Sequence, residues 1–272
     1  MGQRWALIRA PVPRANANRI LLTIDLTTAV TEEALKTPTA FIVSYHPTIF
    51  KPLSSLTLAK PLQANLLRCA AAGISVYSPH TSLDSVWGGI NDWLSAGVTK
   101  PLGSTNPAEE GKVTIFGEEL GDGLGGQCRL VTLPQPVSMK EIERRIKAHL
   151  NLPQIQAAYP AEQDPEKPFI HTIGICAGSG GSMLLGKVAD LYWTGEMAHH
   201  EVLAAVANGH NVILCDHTNT ERGYLPTLAE KLKSQLQTLS TEAKSSDVGL
   251  SDTLSGLEIT VSTADRHPLQ IV

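Results

Sequence analysis

Short apolar runs alternate with helix-patterned segments along most of the chain, and that alternation leaves few architectures open. Arg19–Asp25 (RILLTID) and Ala40–Ser44 (AFIVS) read as strands on either side of a helix near Thr31–Lys36. A helix over Leu62–Ala72 should stop at Gly73 and lead into a strand at Ile74–Tyr77. Ser85–Ala96 places Val86, Ile90, Trp93 and Leu94 at helical spacing, although Gly88 and Gly89 weaken it. Strand and helix in alternation predict an α/β chain with parallel or mixed sheets flanked by helices.

The middle of the chain predicts strands at Val113–Phe116 and Cys128–Leu133 around GDGLGG. A helix then starts at Ser138, which forms a capping box with Glu141 and lines up Ile142, Ile146 and Leu150 on one face. Residues 151–168 (NLPQIQAAYPAEQDPEKP) are rich in proline and polar side chains and read as a linker. The expected division is therefore a first lobe over 1–150, the linker, and a second lobe over 169–272. The second lobe repeats the theme with strands Phe169–Cys176, Asp190–Thr194 and Asn211–Cys215 and helices Met183–Ala189, His199–Ala207 and Leu225–Gln237. Residues 240–256, dense in Ser, Thr and Asp, read as an exposed loop before a closing strand at Glu258–Ser262.

Composition narrows the function classes. Of the 272 residues 42% are hydrophobic and 18% charged, which suits a packed core and not a disordered chain. A formal net charge of -4, with no basic aromatic stripe, argues against a nucleic-acid partner. Cys69, Cys128, Cys176 and Cys215 are scattered without a CxxC pair, so they read as buried reduced thiols. No run of about 18 apolar residues suggests a membrane span, and no secretory signal is visible. A cytoplasmic location is expected, with mitochondrial or nuclear locations as alternatives. Residues 1–24 do carry Arg4, Arg9, Arg14 and Arg19 ahead of the first acid, as transit peptides do, but Pro11 and Pro13 oppose a helical presequence.

Three polar clusters stand just past predicted strand ends, where open α/β sheets place their ligands: Tyr45-His46-Pro47, His80 to Asp84, and Asp216 to Glu221. His217 and Glu221 are four apart, so a helical turn there would aim both at one ion. Two imidazoles and two carboxylates from His46, Asp84, His217 and Glu221 suit zinc, manganese or iron better than calcium. Each residue taken singly reads better as a satisfied structural residue than as a ligand, a lone His-x-x-x-Glu pair is weak, and His80 reads equally well as a partner orienting a ligand or as a plain turn residue. Glu196, His199 and His200 form the next candidate cluster, for proton transfer or substrate binding. Adjacent helical residues diverge, so at most one of the two histidines should face a site. The turn AGSGGS (Ala177–Ser182) lacks the lysine of a P-loop, and a tight turn needing positive φ is the better reading than a phosphate site.

The blocks SYHPTIF, SPHTSLDSVWGGINDWL, ICAGSGGSMLLG, DLYWTGEMAHHEVL, CDHTNTERGYL and DRHPLQ occur in one order from about Ile20 to the C-terminus. In this the chain resembles the NIF-three-like (YbgI-type) family, whose members are often labelled GTP cyclohydrolase 1 type 2 homologues. The resemblance implies a two-lobed α/β fold, a homo-oligomer in the form of a hollow hexamer, and one or two divalent metal ions per subunit in a dinuclear centre. It implies metal ligation by His46, Asp84, His217 and Glu221, with Asp84 or Glu221 bridging. The family's His-His-Pro motif falls on Tyr45-His46-Pro47, and a phenol with pKa near 10 is a poor ligand at neutral pH, which puts the second metal in doubt. At the N-terminus only Trp5, Leu7 and Ile8 echo the family's opening segment. A metal-dependent hydrolase acting on a small substrate, nucleotide-like compounds among the candidates, is the first functional expectation. A regulatory protein with transcription-linked partners and a structural or sensory metal is the second, and metal storage or delivery the third.

Overall fold

A computed structural model describes residues 6–269, so Arg4, Trp5 and the last three residues lie outside the described part. The chain forms two compact units, Met1–Ser82 with Tyr224–Val272, and Leu83–Gly223. These boundaries differ from the 1–150 and 169–272 lobes expected from the proline-rich stretch. The reason is strand pairing: the C-terminal strand returns to the first sheet, while the segments after Leu83 build the second.

The first unit holds a five-stranded sheet in the order β1-β4-β3-β2-β11. Its strands are β1 (Ala6–Ile8), β2 (Arg19–Thr23), β3 (Thr39–Ser44), β4 (Ser75–Ser78) and β11 (Glu258–Val261). The last four run parallel, and β1 closes one edge antiparallel to β4. Helix α1 (Thr28–Lys36) starts one turn earlier than its periodicity predicts, because the Thr27 hydroxyl accepts the Val30 N–H as an N-cap. Helix α2 (Pro61–Ala71) takes Pro61 in its first turn and ends before Gly73, at φ +77°. Leu21, Ile42, Val30, Ala34, Leu66 and Ile74 are packed together in the core that these elements enclose. Helix α8 (Leu225–Ala243) and helix α9 (Val248–Ser255) complete the unit. The expected loop over 240–256 is thus mostly helical. Asp247 caps α9 by accepting the Leu250 N–H, and Ser240 of α8 hydrogen-bonds Ser251 of α9, so the hydroxyls serve capping and helix pairing.

The second unit is built on the sheet β5-β6-β8-β9-β10-β7. Strands β5 (Lys112–Leu120) and β6 (Gly125–Val137) form an antiparallel hairpin through GDGLGG, and β6 also pairs antiparallel with β8 (Ile170–Ser179). Strands β8, β9 (Leu191–Glu196) and β10 (Asn211–Leu214) run parallel. The expected linker contains β7 (Gln156–Ala158), an edge strand paired antiparallel with β10. Helix α5 (Met139–Leu150) is capped by Ser138 accepting the Glu141 N–H, as its sequence predicts.

The helix expected over Ser85–Ala96 is broken into α3 (Thr81–Ser85) and α4 (Ile90–Ala96). Gly88 takes φ +72°, and a Cβ on Gly89 would stand 2.1 Å from the Leu83 carbonyl, so the chain turns where the two glycines allow it. Buried Arg129 fixes the break: its guanidinium donates to both Asp92 oxygens (2.8 and 2.9 Å) and to the Ser85 and Val86 carbonyls. Helix α6 (Gly181–Leu184) is one turn where Met183–Ala189 was expected, ending near Gly186 at φ +78°. Helix α7 (His199–Ala207) matches its expected span. No helix among the described residues is long and apolar enough to cross a membrane.

Candidate metal centre

In the first unit the parallel strands β2, β3 and β4 bring their C-terminal ends to one edge, so Asp25, Tyr45-His46 and His80 become neighbours. The His46 Nδ1 lies 3.0 Å from Asp25 Oδ1. Asp25 was not singled out from the sequence; the signal was its position just past the end of the strand beside that of His46. A carboxylate on Nδ1 fixes the ring's orientation and tautomer and directs Nε2 outward as a donor. Tyr45 is only 2% exposed, its backbone N–H bonded to the Thr23 carbonyl and its own carbonyl taking the His80 N–H. The Tyr45 ring packs edge-on to His46 at 4.8 Å and against His80 at 5.6 Å. His80 adopts φ +47°, a turn conformation that brings its ring also against Phe50.

In the second unit His217 and Glu221 meet at the ends of β9 and β10. The segment His217–Thr220 is a single 3-10 turn, tighter than the α-helical turn expected, and it still brings His217 Nε2 to 3.3 Å from Glu221 Oε1. On the other side of the ring His217 Nδ1 lies 2.8 Å from Glu196 Oε1. Glu196 is exposed and Glu221 only 1% exposed, so the imidazole is held between a solvent-facing and a buried carboxylate. The bond to Glu221, with Glu196 adding to it against the opposing effect of burial, pushes the His217 pKa up to about 9. A cation binding at Nε2 therefore replaces a proton.

Three backbone features surround this pair, of which the sequence indicated only the positive-φ turn at AGSGGS. Gly178, at φ +65° after β8, leaves a space in which a Cβ would stand 2.8 Å from Glu221 Oε1 and 2.9 Å from His217 Nε2. Gly195 of β9 lets the chain pass, since a Cβ there would stand 2.8 Å from His217 Cα. Asp216 takes φ 62°, ψ 150°, a region that non-glycine residues enter at a cost of about 1–3 kcal/mol.

The donors fit a divalent ion. Two metal bonds of about 2.1 Å at a tetrahedral angle separate their donor atoms by roughly 3.4 Å, and His217 Nε2 and Glu221 Oε1 stand 3.3 Å apart. His46, His217 and Glu221 each offer one donor atom. Asp84 lies partly buried in α3; its backbone carbonyl accepts the Asn91 amide at 3.2 Å, and its charge acts on the thiols of Cys128 and Cys176. His199 and His200 occupy the exposed first turn of α7, their rings 5.4 Å apart. At the AGSGGS turn the Glu201 carboxylate packs against Gly181, where a Cβ would stand 2.0 Å from Oε2, and it accepts the Ala198 N–H.

Fold and donors define a two-sheet α/β protein whose strand ends carry histidines braced by carboxylates. The Duf34/NIF3 (NGG1p interacting factor 3) family profile matches residues 11–249. A Schizosaccharomyces pombe protein named "Protein NIF3 homolog" is 42% identical over 97% of this chain and 88% of its own length. The Saccharomyces cerevisiae NGG1-interacting factor 3 is 36% identical over 96% and 85%. A Bacillus cereus protein related to NIF3 shares the fold, with a TM-score of 0.74 at 16% identity over 100% of this chain and 94% of its own. The chain belongs to the DUF34/NIF3 family.

Proposed function

We propose that the protein binds a divalent cation, zinc, manganese or iron, through His46, His217 and Glu221, with Asp84 as a further ligand, and that it is a metal-dependent hydrolase of a small substrate. The observation that carries this reading is the bracing of both imidazoles: Asp25 on His46 Nδ1 and Glu196 on His217 Nδ1 orient each ring as carboxylates orient metal-binding histidines. The 3.3 Å separation of His217 Nε2 from Glu221 Oε1 supports it. A divalent ion supplies Lewis acidity, polarising a substrate oxygen and making water more acidic. The chain's own part is to fix the donors: Asp25 and Glu196 hold the Nδ1 protons, and buried Glu221 offers a charged oxygen. Glu196, His199 and His200 are the groups proposed to move protons at the solvent side. Nucleotides, phosphoesters and cyclic amides are the substrate classes to screen, with metal-stripped protein as the control. Turnover that follows the added metal supports hydrolysis, and metal uptake without turnover in any class removes it.

A second reading is favoured by the name of the S. cerevisiae relative, NGG1-interacting factor 3. In it the protein is a transcription-linked interaction factor whose metal is structural or sensory. Metal storage or delivery is a third, which rapid exchange of bound metal with a chelator would favour. We also propose assembly into a homo-oligomer, a hexamer, and a cytoplasmic location. Light scattering tests the assembly, and a monomer of 29.1 kDa overturns it.

A further inference from the structure

The antiparallel ladder between β6 and β8 pairs Leu130 with Gly174 and Arg129 with Ile175, and one step further sets Cys128 opposite Cys176. Directly opposed residues in such a ladder have Cα atoms about 4.5–5.5 Å apart. Disulfides span Cα separations of about 4.4–6.8 Å, so this pair can close with little movement of the backbone. Both side chains lie on one face of the sheet, in the core cluster with Phe116, Leu184 and Tyr192. The Cys176 thiol acts on Cys128 as a close neighbour, while its own S–H donates to the Ala177 carbonyl at 3.7 Å. The other two cysteines are differently placed: Cys69 is in the first unit's core, and Cys215 lies 3.3 Å from the indole nitrogen of Trp193.

We propose that Cys128 and Cys176 are a redox-active dithiol that closes to an intrachain cross-strand disulfide on reaction with a hydroperoxide. The Cys128 sulfur attacks one peroxide oxygen, the O–O bond breaks, and an alcohol or water leaves, giving a sulfenic acid. The Cys176 sulfur then attacks the Cys128 sulfur; the S–S bond forms, the S–O bond breaks, and water leaves with the Cys176 proton. Two thiols are oxidised by two electrons, and one peroxide is reduced. Cys128 is assigned the first attack because the neighbouring Cys176 thiol pushes its pKa down against the effect of burial, while the Cys176 thiol is pushed up. The bridge would act close to the second-unit donors. Cys176 is two residues before Gly178, and the Asn91 side chain ties together the Asp84 and Gln127 carbonyls and the Ala177 N–H.

The test treats the full chain with hydrogen peroxide, blocks remaining thiols with N-ethylmaleimide under denaturing conditions, and maps peptides without reduction. The proposal predicts that four alkylatable thiols fall to two, with a linked peptide joining Cys128 to Cys176. Dithiothreitol should restore all four. Cys128→Ser and Cys176→Ser should each abolish the link. A Cys69→Ser, Cys215→Ser double variant keeps the pair and should form it as the parent does, which guards against misfolding of the β6 and β8 variants. The proposal is overturned if all four thiols survive peroxide that fully oxidises N-acetylcysteine in parallel. A bridge that joins Cys69 or Cys215, or two chains, also overturns it.

Discussion

Gly178→Ala should weaken metal binding at the second-unit donors by at least tenfold. The added Cβ would stand 2.8 Å from Glu221 Oε1 and 2.9 Å from His217 Nε2, about half an ångström inside ordinary contact. Metal ligands tolerate displacements of only about 0.2 Å, so pushing either donor aside costs affinity, and a tenfold loss corresponds to about 1.4 kcal/mol. The φ of +65° adds a second cost, about 1–2 kcal/mol of stability for a non-glycine residue. At roughly 2–4 °C per kcal/mol that lowers the melting temperature by roughly 2–8 °C. Gly186→Ala separates the two effects, because Gly186 has φ +78° and an added methyl there would meet nothing within 4 Å. It should lose stability and keep its metal. The assay titrates stripped protein with zinc against a chromophoric chelator, alongside calorimetric melting. Parental zinc affinity in Gly178→Ala would refute the assignment of Nε2 and Oε1 as donors.

Glu196→Ala should lower metal affinity about 10–100-fold by releasing His217 Nδ1, with Glu196→Gln intermediate and Asp25→Ala producing the same loss through His46; chelator competition reads all three. Tyr45→His should raise affinity for a second ion with little effect on the first, and calorimetric titration showing two equally tight sites in the parent would remove the reason for it. Glu33 should make the first unit more stable above about pH 4.5 than below it. Burial pushes its carboxyl up, but hydrogen bonds from Ser262, Thr263 and Ala264 outweigh that and hold it below the ordinary glutamate value of 4.5. The contribution is fully present above the unfolded pKa and lost as pH falls through the lower folded value. Melting curves of Glu33→Gln should therefore converge on the parent's in acid, and a stability difference that stays constant down to about pH 2 contradicts this.

Much of the fold was legible because apolar runs such as RILLT and NVIL are bounded by turn residues, and β2 and β10 fall where those runs do. Local signals also found α5 and α7. What was not legible was set by contacts distant in sequence. Arg129 and the Val86 to Gly125 bridge break the helix expected over Ser85–Ala96, and pairing with β10 turns part of a proline-rich stretch into β7. Ser240 and Asp247 looked like loop residues because such side chains favour turns and caps alike, and here they pair and cap helices. At the candidate centre, His217 and Glu221 were found from their spacing. Asp25 was not, because its partner lies on the neighbouring strand, and Gly178 was read only as a turn. Of the proposed proton-transfer groups, Glu196 reaches His217, and His199 and His200 occupy the exposed start of α7.

Whether these side chains hold a divalent metal is decided by elemental analysis of the purified protein with its His46→Ala and His217→Ala variants. At least one zinc, manganese or iron ion per chain is expected in the parent and a clear loss in each variant, with circular dichroism unchanged. Parent protein that carries no such metal and takes up none at micromolar concentrations, or variants that retain the full complement, would contradict metal binding by these side chains.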